Sequence, residues 1–330
     1  MSAPRDRLVE IDALKAAGIV TIVLIHAMRP QWDPNASSLE IWIGHATRFG
    51  VPAFLCASGF LYAQVSSRSF ATTRARLRRI LVPYLVASLL AQIFHLWRDQ
   101  APMTGSVWMD LLIGASFGPY YYVFVIAILV VVTPAFAQLS RRAVFALTAA
   151  FVAAQWLMEI GTFGLMHLTW QIRNPMMWWA YFLIGWSVRL HAEPLSRIVA
   201  SRRTALAAGC TAAALLLTAA SALEGRVPGP LVRTAAWLDV YAILATITLL
   251  SRRFSRSPGW LRFVSDATYA IYLFHLFFVL MAQDLLPLPE RHADLLRIAL
   301  AWLAGLGGSL AVVMGARASL GRRSREWVGA

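Results

Sequence analysis

The chain has 330 residues, 59% of them hydrophobic, with a mean hydropathy of +0.61 and a formal charge of +14. Apolar runs long enough to cross a hydrocarbon core of about 30 Å recur along its whole length, which excludes a soluble domain. The basic pI of about 10.9 comes from one lysine and twenty-nine arginines, none of them in a stretch outside the apolar runs that is interleaved with aromatics, so the charge reads as topology and lipid contact and excludes nucleic-acid binding.

Ten spans are predicted, over 11 to 29, 41 to 64, 80 to 97, 107 or 119 to 137, 143 to 158, 174 to 190, 205 to 222, 231 to 250, 261 to 283 and 294 to 316. The fold class is therefore an all-α membrane bundle of about ten transmembrane helices, one membrane-embedded domain over 1 to 330. The first span has no small-residue cleavage pattern after it and is expected to stay as an anchor. It holds Asp12, Lys15 and His26. Eleven residues at about 100° each come to about three turns, so Lys15 and His26 leave one helix face about 16 Å apart. Asp12 shares that face and can pair with Lys15 at i, i+3. Lys15 can also extend its ammonium back to the headgroups, and His26 can be an interfacial histidine.

The second span carries His45 and Arg48, and a charge at that depth needs a partner or a cavity; Asp239 in the eighth span is one candidate. Before the third span runs RSFATTRARLRRILVPY, with Arg74, Arg76, Arg78 and Arg79. Their planar forks suit phosphate oxygens, although positive-inside charge also explains them. The ninth span adds Asp266 and His275. Cys56 and Cys210 both lie in apolar runs, so neither a disulfide framework nor a metal-binding spacing is available, and no metal is expected. With both termini placed in the cytoplasm, 21 arginines fall on that side: Arg5, Arg7, the group from Arg68 to Arg79, Arg141, Arg142, and those from Arg189 to Arg203, Arg252 to Arg262 and Arg317 to Arg325. Arg29, Arg98, Arg173, Arg226, Arg233, Arg291 and Arg297 fall on the other, the asymmetry expected of a membrane protein.

The spacing of Lys15 and His26 resembles the signature of the membrane-bound acyltransferase 3 family, in which Arg or Lys is followed by ten residues and His. Three further segments are similar to that family: VPAFLCASGF, ending in Ser58, Gly59 and Phe60; RARLRRILVPY, with Arg76 and Arg79; and DATYAIYLFH, with Tyr269, Tyr272 and His275. Lysine stands at 15 where arginine is commoner, and Tyr120 to Tyr122 stand where the family often has tryptophan.

The resemblance implies an integral O-acyltransferase of the bacterial inner membrane. It would move an acyl group, acetyl from acetyl-CoA, from the cytoplasm to a hydroxyl of an envelope carbohydrate or lipid-linked glycan. It implies His26 as general base or acyl carrier, and Lys15 at the lower end of the donor channel. Arg76 and Arg79 would hold the CoA phosphates, with Arg48, Ser58, His275 and Asp12 lining the substrate pocket. These residue types suit attack of a hydroxyl on a thioester, which needs a base and a group to stabilise the oxyanion. The competing reading is a secondary transporter or exporter, which matched Gly- and Pro-broken spans in two halves would favour and which this sequence lacks.

Overall fold

A computed structural model describes residues 8–29, 33, 36–64, 69–161, 171–223, 228–285 and 294–330. Among the described residues every regular element is a helix. The first half contains α1 (Val9–Ala27), α2 (Ser38–Thr47), α3 (Gly50–Ala63), α4 (Phe70–Trp97), α5 (Val107–Ile113), α6 (Tyr121–Phe136) and α7 (Arg141–Gly161). The second contains α8 (Met176–Leu190), α9 (Ala192–Ser221), α10 (Gly229–Ser251), α11 (Gly259–Leu285), α12 (Asp294–Leu320) and the single turn α13 (Ser324–Trp327).

Seven of the described helical segments are long and apolar enough to cross a membrane: α4, α6 with the 3-10 turn before it, α7, α9, α10, α11 and the segment containing α12. The predicted spans at 11 to 29, 41 to 64 and 174 to 190 are occupied by α1, by α2 and α3 together, and by α8, which are shorter or carry more charge. By length and hydropathy alone, seven of the described segments qualify as crossings, and helices fill the three other predicted spans as well. The fourth span adopts its later start, because Gly114 at φ +68 ends α5 as a separate short helix.

The second predicted span is broken at Arg48 and Phe49, and Pro52 explains it. A proline has no N–H, and its ring clashes with the carbonyl four residues earlier, which belongs to Arg48. At its other end α2 is closed by a capping box: the Ser37 hydroxyl accepts from the Glu40 N–H, and Glu40 accepts from the Ser37 N–H. Burial pushes the Glu40 carboxyl up, but the backbone donors of Ser37 and Arg29, the Ser37 hydroxyl and the Arg29 charge outweigh it and hold it below the usual carboxylate range.

Burial orders the helices from centre to rim. In α11, 61% of the apolar window is buried inside the protein; in α9 only 17% is, so α11 is the central helix and α9 a lipid-facing one. Around α11 pack α1, α4 and α12, and α1 in turn meets α3 and α10. The tightest crossing joins α3 to α8. A Cβ on Gly59 would overlap the Phe182 backbone, and one on Gly185 would overlap the Cys56 backbone, so the two chains touch main chain to main chain. Backbone cannot yield as a side-chain tip can. Gly59→Ala and Gly185→Ala are each expected to cost about 1–3 kcal/mol, read as a lower melting temperature in detergent; unchanged melting would mean that α3 and α8 part freely.

The arginine-rich segments gather at one end of the bundle. Arg252 Nε donates to Glu10 at 2.8 Å, Arg203 donates to the Arg252 carbonyl, and Arg189, Arg76 and Arg317 lie over Phe60, Tyr62 and Phe263. The last residues join this end, where Gly329 tucks against Tyr269. At the opposite end Arg98 pairs with Asp284 at 2.7 Å, and Arg173 donates to the Ile113 and Gly114 carbonyls. The expected separation of charge is therefore a property of the fold; Arg5, Arg7, Arg68, Arg226 and Arg291 lie outside the described residues.

Candidate functional site

The acidic and basic groups at the start of α1 are both turned onto α11 and the loop before it. Asp12 is buried and accepts from the Ser257 and Ser265 hydroxyls, each at 2.6 Å. Lys15 Nζ donates to the Ser265 carbonyl at 2.5 Å. The lysine is thus directed across to a neighbouring helix, where the headgroup-seeking reading would have it run back along its own.

Beside this contact lies a cavity of about 150 Å³. Lys15 is on its wall, with Ser58 of α3, Tyr122 of α6, and Asp266, Tyr269 and Tyr272 of α11. Of the residues anticipated from sequence, Lys15 and Ser58 line it directly. His26 and His275 do not; they stand beyond Tyr272. The Tyr272 ring is 6.2 Å from that of His275, which is 5.3 Å from that of His26. Tyr269, Tyr272 and His275 recur every three residues and so follow one face of α11, linking the lysine end of α1 to the histidine end.

This face is held by tyrosines that each find a backbone acceptor, as buried phenols must where no water competes. Tyr272 donates to the Pro119 carbonyl and Tyr120 to the Leu273 carbonyl, a reciprocal latch between the head of α6 and α11. Tyr269 donates to the Ile80 carbonyl at 2.6 Å, and Tyr84 to that of Leu111 at 2.6 Å. The Tyr120 to Tyr122 run divides its work. Tyr120 makes the latch, Tyr121 stacks on Trp178, and Tyr122 faces the cavity.

On α4, Arg76 is half-buried, its guanidinium carbon 4.4 Å above the centre of the Tyr62 ring, one residue from the cavity-lining Leu61. Arg79 lies one turn on and is exposed. The two arginines share a helix face but differ in setting: Arg76 is held over the Tyr62 ring and Arg79 is exposed.

Arg48 stands elsewhere. Its guanidinium reaches Glu159 of α7, a carboxylate just past the predicted fifth span, at 3.8 Å, while the expected partner Asp239 lies within reach of its charge without a direct ion pair. Asp239 accepts from the Thr218 hydroxyl at 2.8 Å instead. Nearby, Gln155 donates to the Met177 carbonyl and accepts from Tyr241, while both ring nitrogens of His45 are buried without a hydrogen-bond partner among the described residues. Sequence reasoning missed Tyr122 as a cavity residue and Glu159 as a partner. The tyrosine run was the available signal for the first; for the second there was none once the span was ended at 158.

Lined by Lys15, Asp266, three hydroxyl residues (Ser58, Ser265 and Thr268), three tyrosines and the apolar Phe54, Ala57 and Leu61, the cavity can hold a group with a polar or anionic end and an apolar stem. Among the described residues no three His, Cys, Asp or Glu side chains are grouped to hold a metal ion. A sequence model of the acyltransferase 3 family, described as an acyltransferase domain, matches residues 8–317. No curated protein and no solved structure gives a significant match.

Proposed function

The chain belongs to the acyltransferase 3 family and is a multi-pass membrane O-acyltransferase, and from that premise we propose that it carries acetyl from cytoplasmic acetyl-CoA to a hydroxyl of an envelope carbohydrate or related acceptor at the bacterial inner membrane. The observation that carries this reading is the continuous run from Lys15 through the cavity and Tyr272 to the His275 and His26 rings. A donor bound at the arginine-rich end would enter the cavity beside Lys15, and the remaining distance to His26, about three helical turns from Lys15, is one that a pantetheine arm can cover.

As a base, His26 takes the proton of the acceptor hydroxyl while its oxygen forms a bond to the thioester carbonyl carbon. Collapse of the tetrahedral adduct breaks the C–S bond, and the proton passes to the departing CoA thiolate. As a carrier, His26 itself takes the acyl group, releases CoA and is then attacked by the hydroxyl. Ser58 and Tyr122 offer hydroxyl donors to the carbonyl dipoles of the arm, and Asp12 holds α1 in register with α11 through Ser257 and Ser265.

Mass spectrometry of envelope glycans, lipids and secreted metabolites from a deletion strain tests the reading by the loss of an acyl mass that the wild-type gene restores. A lost solute gradient with every acyl mass intact would support a transporter. At the donor end, Arg76→Ala is expected to weaken acetyl-CoA binding about tenfold, roughly 1.4 kcal/mol, and Arg79→Ala less, because solvent and salt screen the exposed charge. Calorimetric titration of the detergent-solubilised protein at two ionic strengths checks both, and unchanged affinity in the double variant would return these arginines to topology alone.

A further inference from the structure

Resting on the reading of a carbohydrate hydroxyl as acceptor, we propose that the polar group around Arg48 is the acceptor site and that it takes an uncharged sugar, held by its hydroxyls. The group lies toward the His26 end of α1. Gly18 of α1 packs on Ala53 and Phe54, and Gly50 at the start of α3 packs on Thr21 and Ile22, so the two helices run in opposite directions. Arg48, two residues before Gly50, therefore lies toward the last turn of α1, where His26 stands one turn past Ile22. Two other elements that carry the group, α2 with His45 and α10 with Asp239, also pack on α1.

Several polar groups here are buried with hydrogen-bonding capacity unused. Both ring nitrogens of His45 and Oδ1 of Asp239 have no partner among the described residues, although His45 is only 5% and Asp239 only 1% exposed. The Arg48 charge acts on both side chains. At 3.8 Å its own contact with Glu159 is an ion pair too long for a hydrogen bond, and a third of the Arg48 side chain is exposed. A guanidinium open to hydrocarbon is costly, so that third faces water or a polar guest. Unpaired donors and acceptors in a bundle core are costly too, and a guest that pairs them removes the cost.

Rings and charge together define the guest. Gln155 accepts from the Tyr241 hydroxyl at 2.7 Å and the Trp237 indole at 3.3 Å, and donates to the Met177 carbonyl, so both rings are fixed before anything binds. Tyr241 also meets Tyr181, their rings 5.3 Å apart, and the charges of Arg48 and Glu159 act on Tyr181, which puts an aromatic wall beside the charged groups. A sugar ring suits both: its C–H face packs on rings, and its hydroxyls, each donor and acceptor at once, match Arg48, His45 and Asp239. An anionic sugar does not suit them. Glu159 and Asp239 oppose Arg48 and Arg233, which donates to the Ile160 carbonyl beside Glu159, so no surplus positive charge is left for a further carboxylate or phosphate.

The test reads acceptor use apart from donor binding. Asp239→Asn leaves the Thr218 hydroxyl an acceptor oxygen and turns the unpaired Oδ1 into a donor. Arg48→Lys keeps the charge beside Glu159 and removes the planar fork. In a deletion strain complemented at equal membrane protein level, each variant is expected to lower the O-acyl content of the envelope about tenfold, the effect of one or two lost hydrogen bonds. Calorimetry with acetyl-CoA is expected to give the wild-type affinity for both, because the donor enters at the opposite end. Mass spectrometry of the wild-type envelope is expected to find the acyl group on an uncharged sugar. Wild-type acyl content in both variants, donor affinity that falls in step with acyl content, or an acyl group on an acceptor that is charged or is no sugar would each overturn the proposal. If Asp239→Asn fails to fold, Arg48→Lys decides by the same readings. A wild-type gene that restores no acyl mass would instead remove the reading on which the proposal rests, so the two failures are told apart.

Discussion

His26→Ala is expected to abolish acyl transfer, lowering turnover by about 10²–10⁴-fold or more, the range lost with a general base, while acetyl-CoA still binds. The two effects separate because the site is long. The proposed donor contacts, Lys15 and Arg76, lie near the arginine-rich end, Lys15 about 16 Å along α1 from the histidine. Alanine preserves helix propensity, and the half-buried imidazole leaves no charge unpaired behind it. Release of the CoA thiol measures turnover and calorimetry measures donor binding on the same preparation. Turnover at the wild-type rate would remove His26 from the reaction. With the acceptor withheld, an acylated peptide containing His26 distinguishes the carrier from the base.

Lys15 offers the second large effect and a sharper contrast. Lys15→Met is expected to lower turnover more than 100-fold, in line with removal of a group that stabilises developing negative charge, and Lys15→Arg less than tenfold. The charge and the reach to Ser265 both persist in arginine, whereas methionine leaves the Ser265 carbonyl without this donor and the cavity without its cation. The methionine variant should lose only about 1 kcal/mol of stability, the net worth of one hydrogen bond, because the Ser265 carbonyl keeps the Thr268 hydroxyl as a donor. A melting curve alongside the assay separates that loss from the loss of rate. Equal activity of both variants would return Lys15 to a structural contact, and equal loss would mean that the shape of the ammonium matters more than its charge.

What was legible in the sequence is what a single helix can fix. The common face of Lys15 and His26, and that of Tyr269, Tyr272 and His275, follow from 3.6 residues per turn with no reference to any neighbour. That the two faces meet was not legible: the cavity between the helices reaches Lys15 and Tyr272 and stops short of His26. The partner of Arg48 was not legible. Which carboxylate it meets depends on how α7 is rotated and how far it extends, and a boundary drawn at 158 left Glu159 out by one residue. The break between α2 and α3 was visible in Pro52, but a window that averages hydropathy over a whole span smooths it away. Inter-helix choices of this kind are set by packing, where lipid is as apolar as leucine and hydropathy carries no preference.

The crossing of α3 on α8 also has a mechanical meaning. Ser58, on the cavity wall, is flanked by Gly59, whose backbone rests on that of α8 with no side chain between, so this wall has almost no compliance. The opposite wall is made differently. There α6 meets α3 through the Phe54 and Tyr122 rings, which can turn about their χ angles without moving a helix, while Tyr272 stays pinned to the Pro119 carbonyl. Widening of the cavity for a guest is therefore one-sided: the α6 face gives way, and Ser58 keeps its place relative to α8.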